Sequence, residues 1–173
     1  MIRRLLTSAI AVLALGACSS FDDLRLDDLV SIGGEEDMAA CEERTVRWLE
    51  GVSFADAPLI DMEIRRGEFT PVIVRMIQNR SYVLRLRNRD DEPRVFSSPE
   101  FFESVAIAAV AIDNTILETI CPGPAIELLP GQTLELQLYA VIDGSYDFFD
   151  QSGLLGEFTA WHPGGRVRIE PAF

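Results

Sequence analysis

The sequence predicts an all-β domain, an antiparallel Greek-key β-sandwich over residues 57–173, behind an N-terminal leader, a tether and a short helix. Two observations predict it. Residues 82–88, 134–138 and 166–170 alternate apolar and polar side chains with period two, the pattern of a strand with one buried face. Turn residues punctuate these runs at Arg66-Gly67-Glu68, Pro130-Gly131, Asp143-Gly144 and Pro163-Gly164-Gly165. Short alternating strands between such turns pack as two layers around one core.

The elements follow in order. Residues 38–51 predict a short helix, free of Pro and of Gly before Gly51, with Cys41, Trp48 and Leu49 on one face. Ile60, Met62 and Ile64 then alternate with Asp61, Glu63 and Arg65, and Val72, Val74 and Met76 continue the period. Tyr82, Leu84, Leu86 and Asn88 share one face of the next strand, and Val83, Arg85 and Arg87 share the other. Residues 88–93 form a polar turn, read as solvated at Asp90, Asp91 and Glu92. A short strand over 94–97 leads to a helical turn at 99–102, with Ser98 as its N-cap. Residues 104–121, opening with the apolar run 104–113, show no distinguishing period, so buried strand and helix both remain open there. Ile126 and Leu128 precede Pro130-Gly131, and Leu134, Leu136 and Leu138 alternate with Glu135, Gln137 and Tyr139. Residues 146–149 and 166–170 supply the last two strands.

The N-terminus reads as a secretory signal. Arg3 and Arg4 precede a mostly apolar stretch over residues 5–15, too short to span a hydrocarbon core of about 30 Å. Leu15-Gly16-Ala17-Cys18 closes it and resembles the lipobox of bacterial lipoproteins. That resemblance implies removal of residues 1–17, lipidation of Cys18 and anchoring of the chain to a membrane. The acyl chains each contribute roughly 0.8 kcal/mol per buried CH₂. Ser19, where an Asp would imply retention at the inner membrane, points to the outer membrane facing the periplasm. Residues 18–56 then form the lipidated tether and helix, with acids at Asp22, Asp23, Asp27, Asp28, Glu35, Glu36 and Asp37.

Losing residues 1–17, which hold two arginines and no acid, moves the net charge from −13 to −15. So acidic a chain is a poor partner for nucleic acid or anionic lipid. It suits cations or a basic protein of the cell envelope. With Cys18 lipidated in an oxidising space, Cys41 and Cys121 remain to form a disulfide, the alternative being two unpaired buried thiols. A metal pair is disfavoured, because there is no CxxC and no Cys/His cluster. The single histidine, His162, lies between Trp161 and Pro163, where a surface or packed role is the plain reading. There is no G-x-S-x-G, no phosphate-cradling glycine loop and no HExxH, so no catalytic residue is assigned and no enzyme is expected.

Three stretches resemble a cupredoxin domain. Residues 82–96 match the family's hydrophobic strand followed by Asn88, Asp90 and a loop running to Phe96, and residues 97–102 match the segment after the family's first histidine. Residues 129–136 and 144–148 match the Pro-Gly, strand and Tyr-x-Phe passage before the copper cysteine, and residues 165–169 match the closing strand. The resemblance implies a copper sandwich over about residues 57–171, but the ligands are missing. Arg94 stands where the first histidine would be, and Asp150 stands where the cysteine would be. Residues 151–155 offer no second histidine, and His162 falls near the weak axial ligand. A blue-copper centre needs two imidazoles and a thiolate. The expectation is therefore a membrane-anchored periplasmic lipoprotein lacking type 1 copper, with no cofactor, serving as a non-catalytic binding or structural module for an envelope partner. The alternative is a copper-binding or electron-transfer protein with atypical ligands. Arg94 and Asp150 are further expected to face each other as a salt bridge in the space of the lost metal.

Overall fold

The computed structural model describes residues 34–117, 121–152 and 164–172. The signal peptide at 1–17, Cys18, the tether to residue 33 and His162 lie outside the described residues. No helix among the described residues is long and apolar enough to cross a membrane.

Helix α1 (Gly34–Leu49) begins four residues before the expected 38. Arg47 lies in its last turn, where a cation suits the negative end of the helix dipole. Gly51 ends it in the left-handed region at φ 76°, while Val52 N–H donates to the Leu49 carbonyl. The Arg44 guanidinium lies 5.3 Å from the Trp48 ring centroid. Cys41 is joined to Cys121 by a disulfide across a sequence separation of 80, which staples α1 to the chain just ahead of β8 (Ala125–Leu128).

The strands before that point are β1 (Leu59–Arg65), β2 (Glu68–Thr70), β3 (Ile73–Ile77), β4 (Arg80–Asn88) and β5 (Arg94–Ser97). A short helix α2 (Pro99–Ser104) leads to β6 (Val105–Ile112) and β7 (Thr115–Leu117). After β8 come β9 (Thr133–Ala140), β10 (Gly144–Asp150) and β11 (Gly165–Glu170). One sheet runs β2-β1-β4-β9-β6-β7 and the other β3-β11-β10-β5-β8. The segment left open at 104–113 is the strand β6, turned back to β7 by Asp113 and Asn114, both at positive φ. Ser98 does cap α2 by position, yet its hydroxyl donates instead to the Asp147 carbonyl at 2.8 Å and ties α2 to β10.

The sheets are mixed rather than wholly antiparallel. β1 runs parallel to β4, and β3 runs parallel to β11. Alternation tells which face of a strand is buried and is blind to strand direction. Here β2 and β3 carry the chain from one sheet to the other before β4 returns beside β1, and such a crossover brings in a parallel neighbour.

The inward faces follow the period-two reading. Tyr82, Leu84 and Leu86 of β4 meet Leu134, Leu136 and Leu138 of β9, all buried. Facing them are Val74, Met76, Phe96, Leu128, Phe148, Val167 and Ile169 of the second sheet. Phe148 packs edge-on against Phe69 at 4.9 Å and tilted against Phe96 at 5.6 Å.

Two Ser replacements at Cys41 and Cys121 should lower unfolding free energy by about 4 kcal/mol, the chain-entropy value for closing a loop of this length. Urea unfolding of the wild type and the double variant measures it. A loss under about 1 kcal/mol would mean that the staple restrains little that packing does not already restrain.

Candidate functional site

The candidate site is a cluster of buried charge at one end of β5 and β10. Its scaffold is Asn88, which is fully buried as the last residue of β4. Its Nδ2 donates to the carbonyls of Glu92 (2.8 Å) and Leu128 (2.9 Å), and its Oδ1 accepts the Asp90 N–H at 3.0 Å. Its peptide groups bond Gln132 O and Gly131 N, across to the β8–β9 turn. An Asn that bonds its own backbone two residues on folds a tight local turn. The turn delivers Asp90 to the interior.

Asp90, nearly buried, accepts from three donors. Its Oδ1 accepts the Arg66 N–H, and its Oδ2 accepts the Gly67 N–H at 2.9 Å and Arg94 Nε at 2.8 Å. Arg66 and Gly67 form the two-residue β1–β2 turn at φ 57° and 73°, which aims both amides at one carboxylate. Burial pushes the Asp90 pKa up, but the two amides and the Arg94 charge outweigh it and hold the group below the usual carboxylate range.

Arg94, the first residue of β5, lies between two acids. Nε meets Asp90, and Nη1 donates to Asp150 Oδ2 at 3.0 Å and Ser152 Oγ at 3.2 Å. Asp150 Oδ1 accepts the backbone N–H of Val95 (3.2 Å) and of Ser152 (3.0 Å). The side chains of Arg94, Asp90 and Asp150 are 18, 7 and 13 % exposed. Burial lowers the Arg94 pKa, but the hydrogen bond and charge of Asp150, then those of Asp90, raise it above its ordinary value. Glu92 Oε2 stands 3.8 Å from Nη2 and is mostly exposed.

The structure thus brings Arg94 and Asp150 together and adds Asp90, Asn88 and Ser152, which the sequence reading did not place in the site. Asp90 is not the solvated turn residue expected of it, because Asn88 folds the loop inward. The spacing Asn88-x-Asp90 was the available signal, since it is that of an Asx turn.

The residues here do not fit type 1 copper. A guanidinium has no lone pair to give a metal, and its fixed charge repels a cation. Asp150 and Asp90 already use their oxygens on Arg94 and on backbone amides. Among the described residues, no group of three or more His, Cys, Asp or Glu could hold a metal ion.

No family model matches the chain, and no curated protein matches it. Solved structures do. A multi-copper oxidase from Pediococcus acidilactici is 10 % identical with a TM-score of 0.51, over 69 % of this chain and 28 % of that one. The fold is a cupredoxin-like β-sandwich. A multicopper oxidase from Aquifex aeolicus is 10 % identical over 69 % of this chain and 30 % of its own, with a TM-score of 0.48. Auracyanin B is 12 % identical over 69 % of this chain and 94 % of its own, with a TM-score of 0.45. The chain therefore spans less than a third of either oxidase. In the cupredoxin-like sandwich of this protein, the charge cluster joins strand β5, strand β10 and the β1–β2 turn.

Arg94→Ala and Asp150→Ala should each cost roughly 1–3 kcal/mol of stability, since each strips a mostly buried charge of a bonded partner and Asp150→Ala leaves Arg94 on Asp90 alone. The double variant should lose less than the sum in chemical unfolding, and additive losses would refute coupling. Asp90 predicts a pH dependence. Its carboxyl is depressed in the folded state, so its stabilisation is present above the unfolded value near 3.9 and is lost as pH falls below it. Asp90→Asn should flatten the acid limb of the stability curve, and an unchanged limb would show that Asp90 does not carry it.

Proposed function

We propose that this is a membrane-anchored periplasmic lipoprotein whose cupredoxin-like domain works without type 1 copper, as a non-catalytic binding or structural module. The observation that carries it is Arg94, held by Asp90 and Asp150 at positions where the resemblance places a copper histidine and the copper cysteine. The ion pairs of Arg94 link the β1–β2 turn region, β5 and β10 in that space. The leader ending in Leu15-Gly16-Ala17-Cys18 supports export, lipidation and an outer-membrane location. The disulfide Cys41–Cys121 agrees with an oxidising compartment. The non-catalytic reading rests on the want of any nucleophile–base pairing in the sequence, whose one histidine is His162.

Copper titration of the full-length chain, followed by optical and EPR spectra, tests the first part. The expected result is no intense thiolate-to-copper band and no narrow hyperfine splitting. Their appearance would overturn the reading, and tight Cu(II) binding abolished by His162→Ala would replace it with an atypical copper site. Cys18→Ser tests the anchor: it should yield unprocessed or soluble protein. A processed variant that still sediments with membranes would refute lipid anchoring.

A further inference from the structure

The outer margin of the second sheet carries an unusual combination. β3 is its edge strand, and β11 is the one strand bonded to it among the described residues. The Val72 carbonyl accepts the Arg166 N–H, and the Gln78 N–H donates to the Glu170 carbonyl. In a parallel pair that parity turns residues 72, 74, 76 and 78 toward β11. The peptide groups of Ile73, Arg75 and Ile77 therefore aim at the open edge. The Tyr82 hydroxyl takes the Ile77 N–H at 2.7 Å, and those of Ile73 and Arg75 face outward.

Edges of this kind are usually blunted by a bulge, a proline or a cover. Here Pro71 precedes the strand and Arg75 is its one charge, flanked by two exposed isoleucines, Ile73 (52 %) and Ile77 (39 %). Arg75 and Arg168 are direct cross-strand partners on the outer face. Like charges so placed destabilise a sheet. They share one carboxylate, Glu170, which is 2.9 Å from Arg75 Nη1 and 3.7 Å from Arg168 Nε. Arg166, next along β11, is paired with Asp147. On a chain of net charge −13, a half-apolar strip thus carries two adjacent arginines that share one carboxylate, with Asp143 lining the same surface.

We infer that the open edge of β3 takes an extended segment of a partner protein as an added strand. The segment bears an acidic side chain flanked two residues away on each side by apolar ones. Its backbone pairs with Ile73 and Arg75, its carboxylate sits over Arg75 and Arg168, and its apolar side chains cover Ile73 and Ile77. Strand addition supplies affinity through main-chain bonds, and the arginine pair supplies selectivity for the acid. The exposed pairs to Glu170 are weak and yield to a partner carboxylate. A second copy does not fit, because β3 paired antiparallel to itself about its midpoint sets Arg75 against its counterpart. A membrane does not fit either, since one local positive charge cannot offset the repulsion between anionic lipid and so acidic a chain.

This inference rests on the binding-module reading and names its surface, yet the two fail separately: copper spectra report on Arg94 and Asp150, not on β3. The test is selection of a displayed random library of about eight-residue peptides on the full-length chain. Convergence on apolar-x-acidic-x-apolar sequences is expected. The consensus peptide should lose at least about tenfold in affinity for Arg75→Glu/Arg168→Glu, and a lysine in place of its acid should restore binding to that variant. Both arginines are more than half exposed, and a thermal melt verifies that the variant is folded. Amide exchange at Ile73 and Arg75 should slow in the complex. No convergence, a consensus without the acid, or binding indifferent to the charge reversal would overturn the proposal. Two further results would also overturn it in the same variant: loss of binding to phosphatidylglycerol vesicles would favour a membrane, and loss of self-association in sedimentation would favour a second copy.

Discussion

The structure depends on a single dry layer between two facing sheets. Every long strand turns alternate residues into it, and a polar group that enters must find its partners there, because water is excluded. The aromatic part of the layer is built from Phe69, Phe96 and Phe148, in mutual contact at ring separations of 4.9 to 6.0 Å. Arg94 lies two residues before Phe96, and Asp150 lies two residues after Phe148. They therefore continue the same inward-facing columns beyond the aromatic block. The charge cluster is the polar end of the core, not a decoration of the surface.

That placement explains how the cluster is organised. A buried guanidinium with one acid would leave donors unsatisfied, so it is met on several sides by Asp90, Asp150 and Ser152. The acids are met in turn by backbone amides from Arg66, Gly67, Val95 and Ser152. Each carboxylate thus bonds both a side chain and a main chain, and the cluster fastens the β1–β2 turn to β5 and β10. A metal in such a position would join the same segments through coordination. Here the Arg94 guanidinium joins them through Asp90 and Asp150.

The outer faces of the two sheets solve their charge problem differently. On the first sheet, Arg85 stands between Asp61 of β1 and Glu135 of β9, with ion-pair distances of 3.4 and 2.7 Å. Opposite charges alternate across neighbouring strands, as cross-strand pairing favours. On the second sheet, Arg75 and Arg168 stand side by side at the margin with one acid between them. A chain with twenty-eight acids had carboxylates to spare for that row. That two neighbouring arginines share the single carboxylate of Glu170 is what gives the margin its distinct chemistry.

Sequence alone determined which residues face inward. Tyr82, Leu84, Leu86, Leu134, Leu136 and Leu138 are buried because a pleated strand alternates its faces, and that period is written in the chain. The turn at Arg66-Gly67 was legible for a similarly local reason, since only few residues accept positive φ. Strand direction was not legible: β1 beside β4 and β3 beside β11 are parallel, and alternation is the same in either sense. The pairing of Cys41 with Cys121 was legible by counting once Cys18 is set aside, and the fold brings their Cα atoms to 6.3 Å. Asp90 shows the limit most clearly. In the sequence it is one acid in a run of three beside a proline. In the structure, Asn88 folds that run inward and the β1–β2 turn meets it with two amides. Those amides come from a hairpin more than twenty residues away, and burial by a distant segment is a property that only the assembled tertiary structure can confer.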